Sequence, residues 1–381
     1  MKSRTLPVFL AFLVMGFGDA VGPFVGLAKN NFHLTNIEAQ FIAFMGFIMF
    51  GILSVPMGLV QDKKGKKFIL LSGLTVALLG LLIPIFGLSS YALFLLTVLL
   101  LGAGATILQV AGNPIMRDVS PPGKYSRNLS LGQFIKAIGS LSGPVIPALA
   151  AAWFASSWEI LFPIYSIAIF ITILFVSTMK VEEQKKENAP PASFSSCFAL
   201  LKNKFVLMMV IAIFVYVGAE VCMSAGIPLY LEKTFGVDIS TLGILGTGLF
   251  FLALMTGRFL GSIILDKLSP QRFFIITSLL SVIGILGLFT GIQSIAVISM
   301  FVIGLGFANI FPLVFSITVD AMPERTNELS GLMVTAIVGG AILPLLMGAV
   351  ADAVNVVAGF IVPLSALVYI TIVSLRSPRR A

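Results

Sequence analysis

GLVQDKKGKK, Gly58 to Lys67, is the stretch that decides how this chain folds. It stands where one apolar run, roughly residues 38–60, gives way to another, roughly 68–88, each long enough to cross about 30 Å of hydrocarbon. Five of the six residues from Asp62 to Lys67 are charged, although only 10% of the whole chain is. Charge concentrated between two hydrocarbon-length segments puts the connector in water and its flanks in lipid. Gly65 permits the tight turn that so short a connector needs.

The rest of the 381 residues enlarge that pattern. Hydrophobic residues make up 58% and charged residues 10%, against roughly half and roughly a quarter in soluble domains. A mean hydropathy of +1.07 cannot be hidden in one globular core, so the chain reads as an integral membrane protein. Formal net charge is +8, a balance that in a soluble chain points to nucleic acid. Here the basic residues alternate loop by loop between apolar runs, with no basic stripe interleaved with aromatics. Nucleic acid is therefore excluded as a partner. Cys197 lies in a polar middle segment and Cys222 in an apolar run, so they form no disulfide framework. The single His33, beside Asn30 and Asn31, makes no metal site. The opening MKSRTLPVFLAFLVMGFGDAVGPFVG starts basic like a secretory signal, but its apolar run outlasts a signal core and shows no small-residue cleavage site. It is expected to be a retained first membrane helix.

Windows of spanning length predict twelve helices, at roughly 6–28, 38–60, 68–88, 91–116, 128–153, 157–179, 205–230, 240–265, 272–291, 294–319, 328–351 and 354–375. The expected fold is an all-α membrane protein with two pseudo-symmetric six-helix bundles, residues 1–180 and 205–381. Between them runs the polar, proline-bearing linker 181–204. With the N-terminus in the cytoplasm, 20 of the 24 lysines and arginines fall inside, which predicts that both termini are cytoplasmic.

Matching residues recur at a nearly constant spacing. Gly102 and Gly104 match Gly304 and Gly306, while Asp118 and Pro121 match Asp320 and Pro323, all 202 residues apart. Asp19 and Glu220 are 201 apart; Asp62 and Asp266 are 204 apart. Together they predict a six-helix repeat of the kind whose halves rock about a midplane site.

The residues Gly58, Asp62, Lys63, Gly65, Lys66 and Lys67 resemble the loop signature of the major facilitator superfamily. A partial second copy lies near Arg258, Asp266 and Lys267. The physics fits a gate, with Asp62 pairing across the cytoplasmic face in one conformation and releasing in another; a solvated loop attracted to anionic lipid is the bland alternative. LQVAGNP (Leu108–Pro114), SRNLSLGQ from Ser126, YVGAEV (Tyr216–Val221), GRFLGS (Gly257–Ser262) and the run Ser330–Asp352 resemble the fucose–galactose–glucose:proton symporters. That resemblance implies a secondary active transporter coupling a sugar or sugar derivative to protons by alternating access. It also implies that Asp19 carries the proton, and Gln109 is similar to the glucose/galactose branch rather than to the fucose branch's glutamate. The family's asparagine is replaced by Lys136, and its Asn-Asp pair by Gly18-Asp19.

Ionisable groups within a span are costly and need a reason. Asp19 sits about 18 Å along the first predicted helix, near the midplane, where desolvation suits a carboxyl to load and release a proton. Glu220 mirrors it as a second proton carrier, a substrate hydrogen-bonder or a structural group. Lys136 and Gln109 should share a depth of roughly 12 Å from the cytoplasmic end. Lys136 is then counter-ion to Asp19, anchor for an anionic substrate, or a snorkelling side chain. Asn113, Gln133, Asn309 and Thr335 are polar candidates to line the cavity. Arg258 is assigned to the gate with Asp266. An organic-anion carrier, including one for acidic sugars, or a drug carrier of the same fold is the alternative, raised by Lys136 and by the scarcity of tryptophan (Trp153 and Trp158). With no phosphate loop, nucleophile triad or metal-ligand cluster, no enzyme and no cofactor are expected. The expected partners are a small-molecule substrate, a proton or, as the alternative, sodium, and the lipid of a bacterial inner membrane, with the protein acting as a monomer.

Overall fold

The computed structural model describes residues 5–19, 28, 32–34, 36–87, 90–154, 158–179, 193–236 and 244–377. Six long helices precede the middle of the chain: α1 (Leu6–Asp19), α2 (Asn36–Lys64), α3 (Lys66–Ile85), α4 (Tyr91–Val119), α5 (Tyr125–Phe154) and α6 (Leu161–Thr178). Six follow it: α7 (Lys204–Phe235), α8 (Ile244–Ile264), α9 (Pro270–Gly287), α10 (Gln293–Ala321), α11 (Pro323–Ala353) and α12 (Val356–Arg376). Among the described residues nine helices are long and apolar enough to cross a membrane, and Leu6–Gly18 and Gly248–Ile264 are apolar but shorter. The remaining one, α5, has 30 residues and carries Arg127 and Lys136. Exposed stripes such as Ile276, Leu279, Ile283 and Leu286 on α9 have helical spacing and lie on the outer face of the packed helices. Lipid covers such a face where water would not. The chain is an all-α membrane protein.

The predicted helices are found where the chain is described, residues 20–27 of the first and 240–243 of the eighth lying outside the described residues, with two differences in the connections. The signature loop is mostly helix rather than loop, because α2 runs on through Lys64 and α3 starts at Lys66. Only Gly65 breaks the ladder, at φ 87°, a left-handed conformation that favours glycine. In the linker, residues 181–192 lie outside the described residues, but Phe194–Ala199 is a short helix and Leu200–Lys202 a single 3₁₀ turn. Asn203 then caps α7, its side-chain oxygen accepting from the N–H groups of Phe205 and Val206.

The repeat is visible in the packing. An added Cβ at Gly102 would strike the backbone of Gly46 on α2, and one at Gly304 the backbone of Phe250 on α8. Gly104 faces Gly73 and Ala77 on α3, and Gly306 faces Ser281 on α9. The α1–α5 crossing sets Gly139 on the carbonyl of Leu13, and the α7–α11 crossing sets Gly339 on the carbonyl of Phe214. Each match preserves the spacing of about 200 residues, so the small residues mark equivalent close helix contacts.

Two helix-interior prolines create a second kind of contact. Pro114 and Pro312 have no N–H to give the carbonyls of Val110 and Ala308 four residues earlier. The Ser330 hydroxyl on α11 donates to the Val110 carbonyl at 2.7 Å, and Arg258 Nε on α8 to the Ala308 carbonyl at 3.4 Å. Both orphaned acceptors are thus satisfied by a neighbouring helix, and α10 is interrupted at Ala308 and Asn309.

The chain falls into two compact units. One comprises Met1–Pro121, Ile135–Phe198 and Pro323–Thr335; the other comprises Pro122–Phe134, Ala199–Met322 and Ala336–Ala381. These differ from the expected halves by a trade of two segments, the start of α5 and the start of α11. Each packs with helices from the other half of the sequence.

Candidate functional site

The signature residues lie in the first unit and fall into two groups. Gly58 touches the Asn327 carbonyl and Gly331, so α2 and the start of α11 meet with almost no side chain between them. One turn further along α2, Asp62 accepts from the Asn327 side-chain amide at 3.0 Å. The oxygen of that same amide accepts from Gln61 Nε2 at 2.9 Å, which fixes which way the amide faces. The lysines do something else. Lys66 is paired with Asp118 at 2.5 Å, both side chains largely buried, and so ties the start of α3 to the end of α4. Lys67 donates to the Ser177 carbonyl at 2.7 Å and holds the end of α6. Lys63 is exposed, and Lys64 stands over the Phe68 ring at 4.8 Å. The loop is therefore not a uniformly solvated basic patch. Asp62 reaches α11, and Lys66 and Lys67 brace the first six helices.

The partial second copy is built in the second unit. Asp266, in the connection between α8 and α9, meets Lys124 Nζ at 2.5 Å and Arg127 Nε at 3.4 Å. The hydrogen bond from Lys124 and the charge of Arg127 hold the Asp266 carboxyl below the usual carboxylate range. Arg258, expected beside Asp266, is instead paired with Glu220 of α7 at 3.4 Å. The reason is its place six residues before the end of α8, where it reaches across to α7 and α10 rather than out to the connection. Neutralising either member would leave the other charge partly buried and uncompensated. Tyr216, one turn before Glu220, is wholly buried, with its hydroxyl close to the Arg258 and Glu220 side chains.

The remaining candidates divide by level in the helices. Gly16 of α1 abuts the Lys136 carbonyl at the α1–α5 crossing, and Asp19, three residues later, is the last described residue of α1. The Asp19 side chain lies outside the described residues. Met15 lies against Gly112 and Gly18 against Ala105, which sets Gln109 of α4 between them, level with about Gly16 of α1. Gln109, Asn113 and Gln133 are buried, and Lys136 is half-buried. Position by position, Gln109 and Lys136 thus lie level with Gly16, and Asp19 follows about one turn further along α1. Asn309 is committed to packing: its amide donates to the Gly257 carbonyl at 2.7 Å and its side chain lies over Gly261. Thr335 is half-buried and donates to the Gly331 carbonyl of its own helix at 2.9 Å.

Sequence reasoning missed Asn327, Lys124 and Arg127. The signal was present: RNLS from Arg127 and NELS from Asn327 are 200 residues apart, and each follows one of the two matching Asp-Pro pairs. It also missed the need for a donor where proline frees a carbonyl, which would have pointed to Ser330 and Arg258.

Comparison with known proteins agrees with this geometry. The chain is 30% identical over 381 residues to the glucose/galactose transporter of Brucella abortus biovar 1 (strain 9-941), covering 97% of this chain and 92% of that one. It is 24% identical over 357 residues to the L-fucose-proton symporter of Escherichia coli (strain K12), covering 85% and 81%. Its fold superposes on the crystal structure of the E. coli fucose:proton symporter FucP with a TM-score of 0.86 at 20% identity, covering both chains completely. The family model described as Major Facilitator Superfamily matches residues 8–336 and 209–381. With the signature loop, the packed repeat and this match in agreement, the chain belongs to the major facilitator superfamily of transporters.

Proposed function

We propose that this protein is a proton-coupled symporter of a sugar or sugar derivative, alternating access between six-helix halves 1–180 and 205–381. The observation that carries the reading is that two ionisable residues, Asp19 and Lys136, lie within about a turn of each other and of Gln109 on adjoining helices, where a charge is costly and marks function. Relatives named for glucose, galactose and L-fucose with protons support the substrate class. Asp19 loads the proton, Gln109, Asn113 and Gln133 offer hydrogen-bonding groups to hydroxyls, and Lys136 contributes positive charge. Glu220, paired with Arg258, is a second proton carrier, a substrate hydrogen-bonder or a structural group. Asp62 with Asn327, and Asp266 with Lys124 and Arg127, form the two arms of a cytoplasmic gate that must part for the halves to rock. Both termini face the cytoplasm of a bacterial inner membrane, and the monomer is the working unit.

An anionic sugar is the second reading, and Lys136 is what favours it. Reconstituted protein supplied with radiolabelled glucose, galactose, fucose and glucuronate, under an imposed pH or sodium gradient, tests both. Accumulation of a neutral sugar driven by the pH gradient is expected. Accumulation of glucuronate alone would move the assignment to an acidic substrate, and accumulation driven only by sodium would overturn proton coupling.

A further inference from the structure

The linker's short helix is fastened to the same turn of α11 that meets α2. Glu328 is only 2% exposed. Its carboxylate accepts from the Ser196 hydroxyl at 2.6 Å and receives both Arg325 nitrogens, Nε and Nη2. Arg325 Nη2 also donates to the Ser196 carbonyl at 3.1 Å, and the Cys197 thiol donates to the Glu328 carbonyl at 3.6 Å. All of these residues belong to the first compact unit. Asn327, the residue before Glu328, points the other way to Gln61 and Asp62. One turn of α11 is therefore gripped from two sides, by α2 through Asn327 and by the linker helix through Glu328.

We infer that Glu328 makes the linker helix Phe194–Ala199 a working part of the gate, seated against α11 when Asp62 holds Asn327 and freed when that contact parts. The inference rests on the gate reading above and extends it to a segment otherwise regarded as a passive tether. A buried carboxylate satisfied by three donors costs a great deal to expose, so the linker contact and the α2 contact stabilise the same position of α11. By linkage, weakening one weakens the other.

Cys197 is a built-in reporter. It is 1% exposed, and burial, with the neighbouring Glu328 charge, pushes its thiol up to about 12. A freed linker helix returns it to the ordinary thiol range, where alkylation is faster. The test measures maleimide alkylation of purified protein in lipid nanodiscs, in a Cys222→Ser background so that Cys197 is the only cysteine. Ser196→Ala removes one donor and keeps the Arg325–Glu328 pair; Asp62→Asn weakens the gate without touching the linker. Both are expected to speed Cys197 alkylation by about tenfold or more. If Asp62→Asn slows uptake in proteoliposomes yet leaves alkylation at the parent rate, the inference is overturned while the gate reading stands. Alkylation unchanged by Ser196→Ala likewise overturns it. If Asp62→Asn alters neither uptake nor alkylation, the gate reading fails and the inference falls with it.

Discussion

The Asp62 carboxylate accepts from the Asn327 side-chain amide at 3.0 Å, and this contact has a counterpart 200 residues away. Asp266 lies 204 residues beyond Asp62, and Arg127, which meets it at 3.4 Å, lies 200 residues before Asn327. In each case the aspartate at or just past the end of the second helix of one half meets the opening turn of the fifth helix of the other. The arms differ in chemistry: a neutral amide serves Asp62, whereas two cations serve Asp266.

That difference makes the Asp62 arm easy to test by exchange. Asp62→Asn removes the charge that strengthens the contact, and Asn327→Asp opposes two carboxylates. Hydrogen bonds to charged groups contribute about 1.5–3 kcal/mol, so each single change should slow turnover roughly tenfold or more with little effect on substrate affinity. The double variant Asp62→Asn with Asn327→Asp restores a carboxylate–amide pair and should recover most of the rate. A double variant no faster than the slower single one would show that the contact does not limit the transition.

The Asp266 arm yields a prediction about pH. Its carboxyl is held below the ordinary value of about 3.9, chiefly by the hydrogen bond from Lys124. A depressed carboxyl contributes its stabilisation above the unfolded value and loses it only as pH falls through the folded one. The contribution is thus constant at neutral and mildly acid pH. Asp266→Asn should lower turnover without moving the pH profile of transport between about 5.5 and 8. Asp19→Asn should abolish uphill accumulation and flatten the same profile while exchange survives. If Asp266→Asn shifts the profile, the titrating group has been misassigned.

Much of this architecture is legible in the amino-acid sequence. Spanning lengths mark out the helices because hydrocarbon thickness leaves little choice, and constant spacing reveals the repeat because equivalent glycines make equivalent backbone contacts. Side-chain pairing is less legible. Arg258 and Asp266 are eight residues apart, and only the end of α8 between them decides that one reaches α7 while the other meets α5. Asn309 reads as a cavity-lining amide, yet the proline three residues later breaks α10 there and turns the amide onto Gly257.

The same proline supports a coupled prediction at Arg258. Its guanidinium serves both Glu220 and the Ala308 carbonyl that Pro312 leaves without an N–H. Lysine keeps the charge but loses the planar fork, so Arg258→Lys should satisfy only one of them. The lost hydrogen bond should cost about 1 kcal/mol, read as earlier thermal unfolding in detergent. Pro312→Ala returns a backbone N–H to the Ala308 carbonyl, so it should be less harmful, or stabilising, in the Arg258→Lys background than in the parent. Strictly additive effects would mean that Arg258 and Pro312 do not share that carbonyl.

Lys136 gives the most discriminating test of the substrate path. Its carbonyl sits on Gly16, one turn before Asp19, so its backbone lies within a turn of where the proton is proposed to load. If Lys136 anchors an anionic substrate, Lys136→Asn should weaken binding of an acidic sugar by roughly ten- to a hundredfold, the loss expected for a charge-assisted hydrogen bond. A neutral sugar should bind the variant at least as well. If Lys136 serves instead as counter-ion to Asp19, affinity should change little. Removing the cation then makes the proton easier to hold, and the pH optimum of coupled transport should move upward. Affinities for glucose and glucuronate, measured across pH in parent and variant, separate the two roles. Identical values throughout would assign Lys136 to neither.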